Sequence, residues 1–347
     1  SLRCIMKKVL VTGGSGYIGS HTIIELLRKK DLEVISIDNY SNSNDNTYER
    51  IKNITGSEIT YHPIDICDLN ALKKVFSLHP DISGIIHFAA FKSVGESVEK
   101  PLKYYSNNLN GLINLLRVCK EYKVNNFIFS SSCSVYGNTS ILPVTESTPF
   151  AKAESPYANT KQMGEEIIEH FVNANPNIKV ISLRYFNPAG AHQSGLNGEL
   201  PIGKPSNLVP AITQFAIGKI NELLVNGTDY TTRDGSCVRD FIHISDLAEA
   251  HVMAIEKLFV SSFPFYKVYN LGTGNGVTVL EAIEAFEKIS GKKLNYKVGP
   301  RRVGDVVEIF SDNTLVKNDL GWVPTRGIED IMDTAWKWEI FLSSNSK

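Results

Sequence analysis

Four glycines within seven residues, Gly13-Gly14-Ser15-Gly16-Tyr17-Ile18-Gly19, separate the apolar pentapeptide Lys8–Thr12 (KVLVT) from a segment with helical spacing. The pentapeptide suits a buried strand, and Ile23, Ile24, Leu26 and Leu27 within Ser20–Lys30 mark one face of a helix. A strand that turns this tightly into a helix constrains the fold more than any other feature of the chain. Glycine at positions 13, 16 and 19 permits the turn, lets backbone N–H groups approach a bound group, and brings helix against strand. The helix N-terminus adds partial positive charge, so the loop suits a pyrophosphate.

The same rhythm continues downstream. Glu33–Ile37, Ile59–His62, Gly84–Ala89, Asn126–Ser130 and Lys179–Leu183 read as further strands. Ala71–Leu78, Gly111–Tyr122 and Tyr157–Val172 read as helices between them. Strands alternating with helices predict an α/β fold, a doubly wound parallel sheet of Rossmann-like type, with ligands at the carboxyl ends of its strands. After about Pro188 the texture changes, and Ala191–Ser206 reads as a long irregular segment rich in Gly, Pro, Asn and Gln. Helices near Leu208–Ile217, Ser245–Lys257 and Thr278–Ser290, with a strand-turn near Leu223–Tyr230, predict a smaller α/β domain. The expected division is 1–186 for dinucleotide binding and 187–347 for substrate, with part near 237–258 packing back on the first domain.

Composition removes several classes of partner. Thirty-six Lys and Arg balance thirty-seven Asp and Glu, so the chain lacks the basic surface of a nucleic-acid or membrane-surface binder. No apolar run approaches the roughly 18 residues of a membrane span. The five cysteines (Cys4, Cys67, Cys119, Cys133, Cys237) form no C-x-x-C pair and read as reduced thiols. With no secretory signal in SLRCIMKKVLVTGG, a cytoplasmic location is expected. Ser1–Ile5, ahead of Met6, reads as a short extension or an expression remnant. The eight histidines show no ligand spacing, so no metal is expected.

Asp38 follows Gly19 by nineteen residues and ends the second strand, where an acid accepts hydrogen bonds from adenosine ribose hydroxyls. It would also repel a 2′-phosphate, which favours NAD over NADP. Asp65-Ile66, after the third strand, is compatible with an adenine contact. Tyr157 and Lys161 share one helix face at i, i+4. A free phenol, with pKa near 10, is a poor base at neutral pH, and a neighbouring ammonium favours its ionised form. Ser130-Ser131-Ser132-Cys133-Ser134 closes the fifth strand and offers a hydroxyl beside that pair. Cys133 has no histidine to activate it, and Trp336 and Trp338 read as packing residues.

TGGSGYIGSH, DNYSNS, HFAAFKSVGES, NFIFSSSCSVYG, SPYANTK and RYFNPAGAH together resemble the extended short-chain dehydrogenase/reductases, most closely those that epimerise UDP-hexoses at C4. The resemblance runs on through NLVPAI, CVRDFIHISDLAEAH, YNLGTG and PRRVGD to about Trp338. It implies interconversion of UDP-galactose and UDP-glucose through transient oxidation at C4 by bound NAD. Tyr157 would be the base, Lys161 its partner and a ribose contact, and Ser132 a hydrogen-bond partner of the sugar. NAD contacts would fall on Gly13, Gly16, Tyr17, Ile18, Gly19, Asp38, Asn39, Ser41, Asn42, Ser43, Asp65 and Ile66. Phe88, Ala89, Lys92, Asn107 and Phe186 would complete that shell with Tyr157 and Lys161. Asn187, Asn207, Leu208, Arg239, Arg302, Asp305 and Ile309 would meet the UDP-hexose.

Ile309 occupies the position that limits the sugar pocket in these proteins, so N-acetylated UDP-sugars are expected to be poor substrates. A homodimer pairing the helices at about Pro101–Tyr122 and Tyr157–Val172 is implied, with Leu112, Leu115, Leu116 and Val118 as its apolar surface. A nucleotide-sugar 4,6-dehydratase is disfavoured because Ser132-Cys133-Ser134 stands where those relatives carry Thr-Asp-Glu. A non-catalytic NAD-sensing regulator would be expected to lack the tyrosine or lysine.

Overall fold

The structure is a computed structural model that describes residues 5–345. Ser1–Cys4, which hold most of the expected extension and one of the five cysteines, lie outside the described residues, as do Ser346 and Lys347.

The first half runs β1 (Lys7–Thr12), α1 (Tyr17–Leu27), β2 (Leu32–Asp38), α2 (Asn46–Thr55), β3 (Thr60–Pro63), α3 (Leu69–Leu78) and β4 (Ile82–His87). It continues with α4 (Val94–Glu99), α5 (Pro101–Glu121), β5 (Asn126–Ser132), α6 (Pro156–Ala174) and β6 (Lys179–Tyr185). Then come β7 (Asn187–Ala189), α7 (Leu208–Ile217), β8 (Leu224–Asn226), β9 (Val238–Arg239), β10 (Phe241–His243), α8 (Ile244–Val260) and β11 (Phe265–Leu271). β12 (Val277–Thr278), α9 (Val279–Ser290), β13 (Lys297–Gly299), α10 (Thr314–Leu320) and α11 (Ile328–Ser344) complete the described chain. No helix among the described residues is long and apolar enough to cross a membrane.

Two compact units emerge, and neither is continuous in sequence. Unit 1 comprises residues 1–135, 152–184 and 248–269. Unit 2 comprises 136–151, 185–247 and 270–347. The expected break at 186/187 lies near the Arg184/Tyr185 boundary, which residues 136–151 and 248–269 cross, the latter overlapping the expected 237–258. Residues 248–269 join unit 1, where the Ile255 methyl lies against Gly84 of β4. Residues 136–151 join unit 2, where Val144 bridges Ser311 and the Tyr136 hydroxyl donates to Asn270 Oδ1.

Unit 1 is built on a seven-stranded sheet of order β11-β6-β5-β4-β1-β2-β3. The β1–β2, β1–β4, β2–β3 and β4–β5 pairs are all parallel. Strand order reverses at β1, whose Thr12 stands between Ile37 and His87. That switch point brings the carboxyl ends of β1, β2 and β4 together beside the glycine loop, the usual place for a ligand in such sheets. The central strands are buried on both faces, and Val9, Leu10 and Val11 of β1 are fully inaccessible, while β3 at the sheet edge is largely exposed. The core between sheet and helices gathers Leu10, Ile35, Phe76, Ile85, Leu115 and Phe127.

Helix starts follow local chemistry. Asp68, Ser93 and Ser155 accept from the backbone N–H three residues on, capping α3, α4 and α6, and Pro101 and Pro156 open α5 and α6 with φ already set. Leu112, Leu115, Leu116 and Val118 of α5 are all buried in the unit 1 core, so they offer no surface to a second copy. Their helical spacing marks the inward face of an amphipathic helix.

Unit 2 carries three two-stranded pairs, β10 with β7, β12 with β9 and β13 with β8. Its core collects Val209, Ile212, Val225, Phe286, Ile331 and Met332. Thr278 and Glu281 close a reciprocal capping box that starts α9. Residues 190–207 hold neither helix nor strand.

Candidate active site

In unit 1, Gly13 sits in the left-handed region at φ +69, and a Cβ there would lie 2.9 Å from the Ala89 nitrogen. A Cβ on Gly19 would overlap the Gly13 carbonyl oxygen. These glycines let α1 start directly against the ends of β1 and β4. Gly16 caps α1 without any side chain, which leaves the first turn of the helix to an anion approaching from outside. Phe88 and Ala89 are held to the same spot by Thr12. Its hydroxyl accepts their N–H groups at 3.0 and 3.1 Å, and so donates to His87 Nδ1 at 2.6 Å. Burial drives His87 down to about 3, so it stays neutral and can accept.

Asp38 closes β2 with both carboxylate oxygens engaged by backbone. Oδ2 accepts from Ser15 N at 3.2 Å and Oδ1 from Tyr40 N at 2.8 Å. The Ser15 and Ser43 hydroxyls meet, tying the glycine loop to the 39–43 turn, where Asn39 Oδ1 receives the Ser41 N–H and hydroxyl. This set brings Gly13–Gly19 and Asp38–Ser43 together, as a pyrophosphate and its adjoining ribose require. Asp65 forms a local turn with Cys67 N at 2.8 Å, and Ile66 is buried against α5, where a Cβ on Gly111 would meet its methyl group. Asn107 is joined to that turn by the Cys67 thiol, which reaches its carbonyl at 3.5 Å. A dinucleotide therefore fits this end of unit 1.

α6 carries Tyr157 and Lys161, the expected base and its partner. Its N-terminus is fixed by the Ser155 cap and by the Tyr157 N–H donating to Ser97 Oγ at 3.1 Å. Lys161 is buried and donates to the Ser130 carbonyl at 2.6 Å, with its Nζ 5.8 Å from the centre of the Tyr157 ring. The Ser132 hydroxyl lies near the Tyr157 phenol and favours its ionised form, but burial outweighs it and pushes the phenol up to about 12. Burial, with the Lys92 charge adding to it, brings Lys161 down to about 7. Desolvation thus disfavours charge on both partners.

Glu165 is a residue that the sequence reading passed over. It stands one turn beyond Lys161 on α6, accepts from Ser131 Oγ at 2.6 Å and pairs with buried Arg184 at 2.8 Å. Its charge favours the Lys161 ammonium. The four-residue spacing Tyr157, Lys161, Glu165 was the available signal.

Unit 2 holds the other candidates, Phe186 among them. β9 and the residue after it, Asp240, gather three of them. Arg239 lies on β9 and bonds the Val238 carbonyl at 2.9 Å, Asn187 N donates to Asp240 O at 2.9 Å, and Ile309 N donates to Val238 O at 3.1 Å. Ile309 is buried. Arg302 and Asp305 pair with each other, the guanidinium reaching Asp305 Oδ1 at 2.9 and 3.0 Å. Asn207 opens α7 and donates to Glu199 Oε1 at 2.8 Å, with Leu208 following it in the first turn. Trp338 is buried and donates to the Glu199 carbonyl, in keeping with a packing role. Cys67, Cys119, Cys133 and Cys237 are free thiols. The described residues include no cluster of three or more metal-ligating side chains.

Residues 9–272 match the NAD dependent epimerase/dehydratase family. The chain is 47% identical over 331 residues to UDP-glucose 4-epimerase of Erwinia amylovora, covering 95% of this chain and 97% of that one. It is 44% identical over 340 residues to the UDP-glucose 4-epimerase of Caenorhabditis elegans, with 95% and 97% covered. Among solved structures, UDP-glucose 4-epimerase from Bifidobacterium longum in complex with NAD+ and UDP superposes with TM-score 0.92 at 43% identity, covering 98% of this chain and 99% of that one. Matches this extensive in sequence and fold show that the chain belongs to the NAD-dependent epimerase/dehydratase family, among its UDP-glucose 4-epimerases.

Proposed function

We infer that this chain interconverts UDP-galactose and UDP-glucose, the C4 epimerisation of galactose metabolism, with NAD as its cofactor. The observation that carries the reading is Ser132, Tyr157 and Lys161 assembled behind a dinucleotide loop in a chain this similar to UDP-glucose 4-epimerases. NAD, when bound, supplies reversible two-electron oxidation at the sugar C4. Gly13–Gly19 and the α1 N-terminus hold its pyrophosphate, Asp38 its adenosine ribose, and Asn39, Ser41, Asn42 and Ser43 the adjoining turn. Asp65, Ile66, Phe88, Ala89, Lys92, Asn107 and Phe186 line the remainder.

Tyr157 takes the proton from the sugar 4-hydroxyl and later returns it, while Ser132 holds the same oxygen. Lys161 acts through charge. A phenol and neutral amine carry as many protons as a phenolate and ammonium, so the ion pair forms by moving one proton from Tyr157 to Lys161. Glu165 favours that transfer by stabilising the ammonium.

Arg239 and Arg302 suit diphosphate oxygens, Asp305 a uridine ribose, and Asn187, Asn207 and Leu208 the rest of the nucleotide and sugar. A firm hold on the diphosphate with few directional bonds to the hexose lets the 4-keto sugar turn over before it is reduced. Buried Ile309 restricts the sugar side, which favours unsubstituted hexoses over N-acetylated ones.

The enzyme works in the cytoplasm, a reading supported by its free thiols. It forms a homodimer through α5 and α6, on the outer face where Leu102 is 81% exposed. Light scattering at micromolar concentration tests the dimer, and a monomer mass removes it. Activity is tested by mass balance: UDP-galactose should become UDP-glucose with no net NADH and no loss of water. Accumulating NADH, or a product lighter by one water, would assign another reaction.

A further inference from the structure

Tyr40 adopts φ +57, a left-handed backbone that bulky side chains rarely accept. Among the described residues the other non-glycine residue with positive φ, Lys123, follows the end of α5, where such a conformation ordinarily stops a helix. Tyr40 follows a strand, so helix termination does not account for it. The conformation aims its N–H at Asp38 Oδ1, 2.8 Å away.

The ring is anchored away from that carboxylate. It meets Tyr48 of α2 edge to face, with centres 6.5 Å apart, and Tyr48 stacks on Tyr61 of β3 at 4.2 Å. The Tyr48 hydroxyl in turn bonds Ser36 Oγ of β2 at 2.7 Å. Three elements thereby fix the ring, and the ring fixes the backbone of the turn. The Tyr40 hydroxyl lies buried near Tyr48 without a well-formed hydrogen bond, so it is the aromatic face that matters.

The geometry points to Tyr40 as a positioning residue that sets the Asp38 carboxylate for an unphosphorylated ribose, and so sharpens the choice of NAD over NADP. This rests on the proposed NAD site. With Ser15 N on one oxygen and Tyr40 N on the other, the carboxylate is held in one orientation and keeps acceptor capacity on both oxygens. Two ribose hydroxyls can use that arrangement. A 2′-phosphate cannot, so only NAD loses binding when the arrangement relaxes.

The test loads the purified enzyme with isotopically labelled NAD or with labelled NADP and follows release of each into excess unlabelled cofactor. Tyr40→Phe should match the parent within about twofold. Tyr40→Ala and Tyr40→Leu should release NAD at least tenfold faster, with NADP release changed less, so that discrimination narrows. Tyr40→Gly should behave like Tyr40→Ala although it relieves the backbone. UDP affinity by calorimetry should stay at the parent value in each variant and reports an intact fold. NAD exchange at the parent rate in Tyr40→Ala and Tyr40→Leu would overturn the inference, as would equal losses for NAD and NADP. Asp38→Asn separates the two readings: if it also leaves NAD exchange unchanged, the assignment of the ribose site has failed rather than the role of Tyr40.

Discussion

The Lys161 side-chain nitrogen sits 2.6 Å from the carbonyl oxygen of Ser130, two residues before Ser132, whose hydroxyl lies near the Tyr157 phenol. One strand end therefore anchors the lysine and presents the hydroxyl. Rotating Lys161 away would cost a buried hydrogen bond, so its side chain is held within the same 5.8 Å of the Tyr157 ring while the proton moves.

Tyr157→Phe removes the phenol and little else. Turnover should fall by at least the 10²–10⁴-fold typical of losing a general acid–base group, while bound NAD is retained. Near-parent kcat with NAD present would reassign the base.

Lys161 makes stability depend on pH. Its native value of about 7 lies below that of an exposed lysine, so above pH 7 the unfolded chain binds more protons than the native one. Stability should rise from pH 7 toward pH 10. Tyr157, raised to about 12, works the other way beyond pH 10, where the unfolded chain gives up a proton that the native phenol keeps. Measured as Tm against pH, Lys161→Met should flatten the rise between pH 7 and 10. An equal slope in parent and variant would contradict this.

Gly13→Ala places a Cβ 2.9 Å from the Ala89 nitrogen at a positive φ. Strain of roughly 1–3 kcal/mol is expected. It falls on the loop proposed to receive the pyrophosphate, so NAD content on purification should drop together with Tm. Unchanged NAD content would show that the loop can shift to accept a methyl group.

Ile309 is 4% exposed and cannot donate a hydrogen bond. An acetamido group buried against it unpaired would lose about 1–3 kcal/mol. UDP-galactose should therefore exceed UDP-N-acetylgalactosamine in kcat/KM by more than tenfold, about 1.4 kcal/mol. Ile309→Ala should narrow the gap. Parity between the substrates in the parent would show that Ile309 does not close the pocket.

Much of unit 1 was legible because parallel strands buried on both faces are short continuous apolar runs. β1, β2, β4, β5 and β6 each lie within about two residues of the expected segments. β11 was missed: Phe265–Leu271 interleaves Lys267 and Asn270 with its apolar residues and resembles a loop, yet it completes the sheet edge. α5 starts at Pro101, ten residues before the expected Gly111, because its first turns are polar and owe their helicity to the proline and to buried Tyr104. α11 also went unread, although Ile331, Met332, Ala335 and Trp338 carry helical spacing. In the candidate site, Tyr157, Lys161 and Asp38 announce themselves by spacing. Arg184 and Asp240 do not, since a buried charge is recognised only by its partners: Glu165 for the first, and Thr273, Gly274 and Ser311 for the second.

Reversible oxidation at C4 is tested most directly with UDP-galactose carrying deuterium on that carbon, turned over in ordinary water. A hydrogen that leaves and returns as hydride never mixes with solvent. The account requires UDP-glucose that keeps the full deuterium label at C4, with the cofactor oxidised at the end. Loss of the label to water, or UDP-glucose formed at the same rate by Tyr157→Phe, would contradict it.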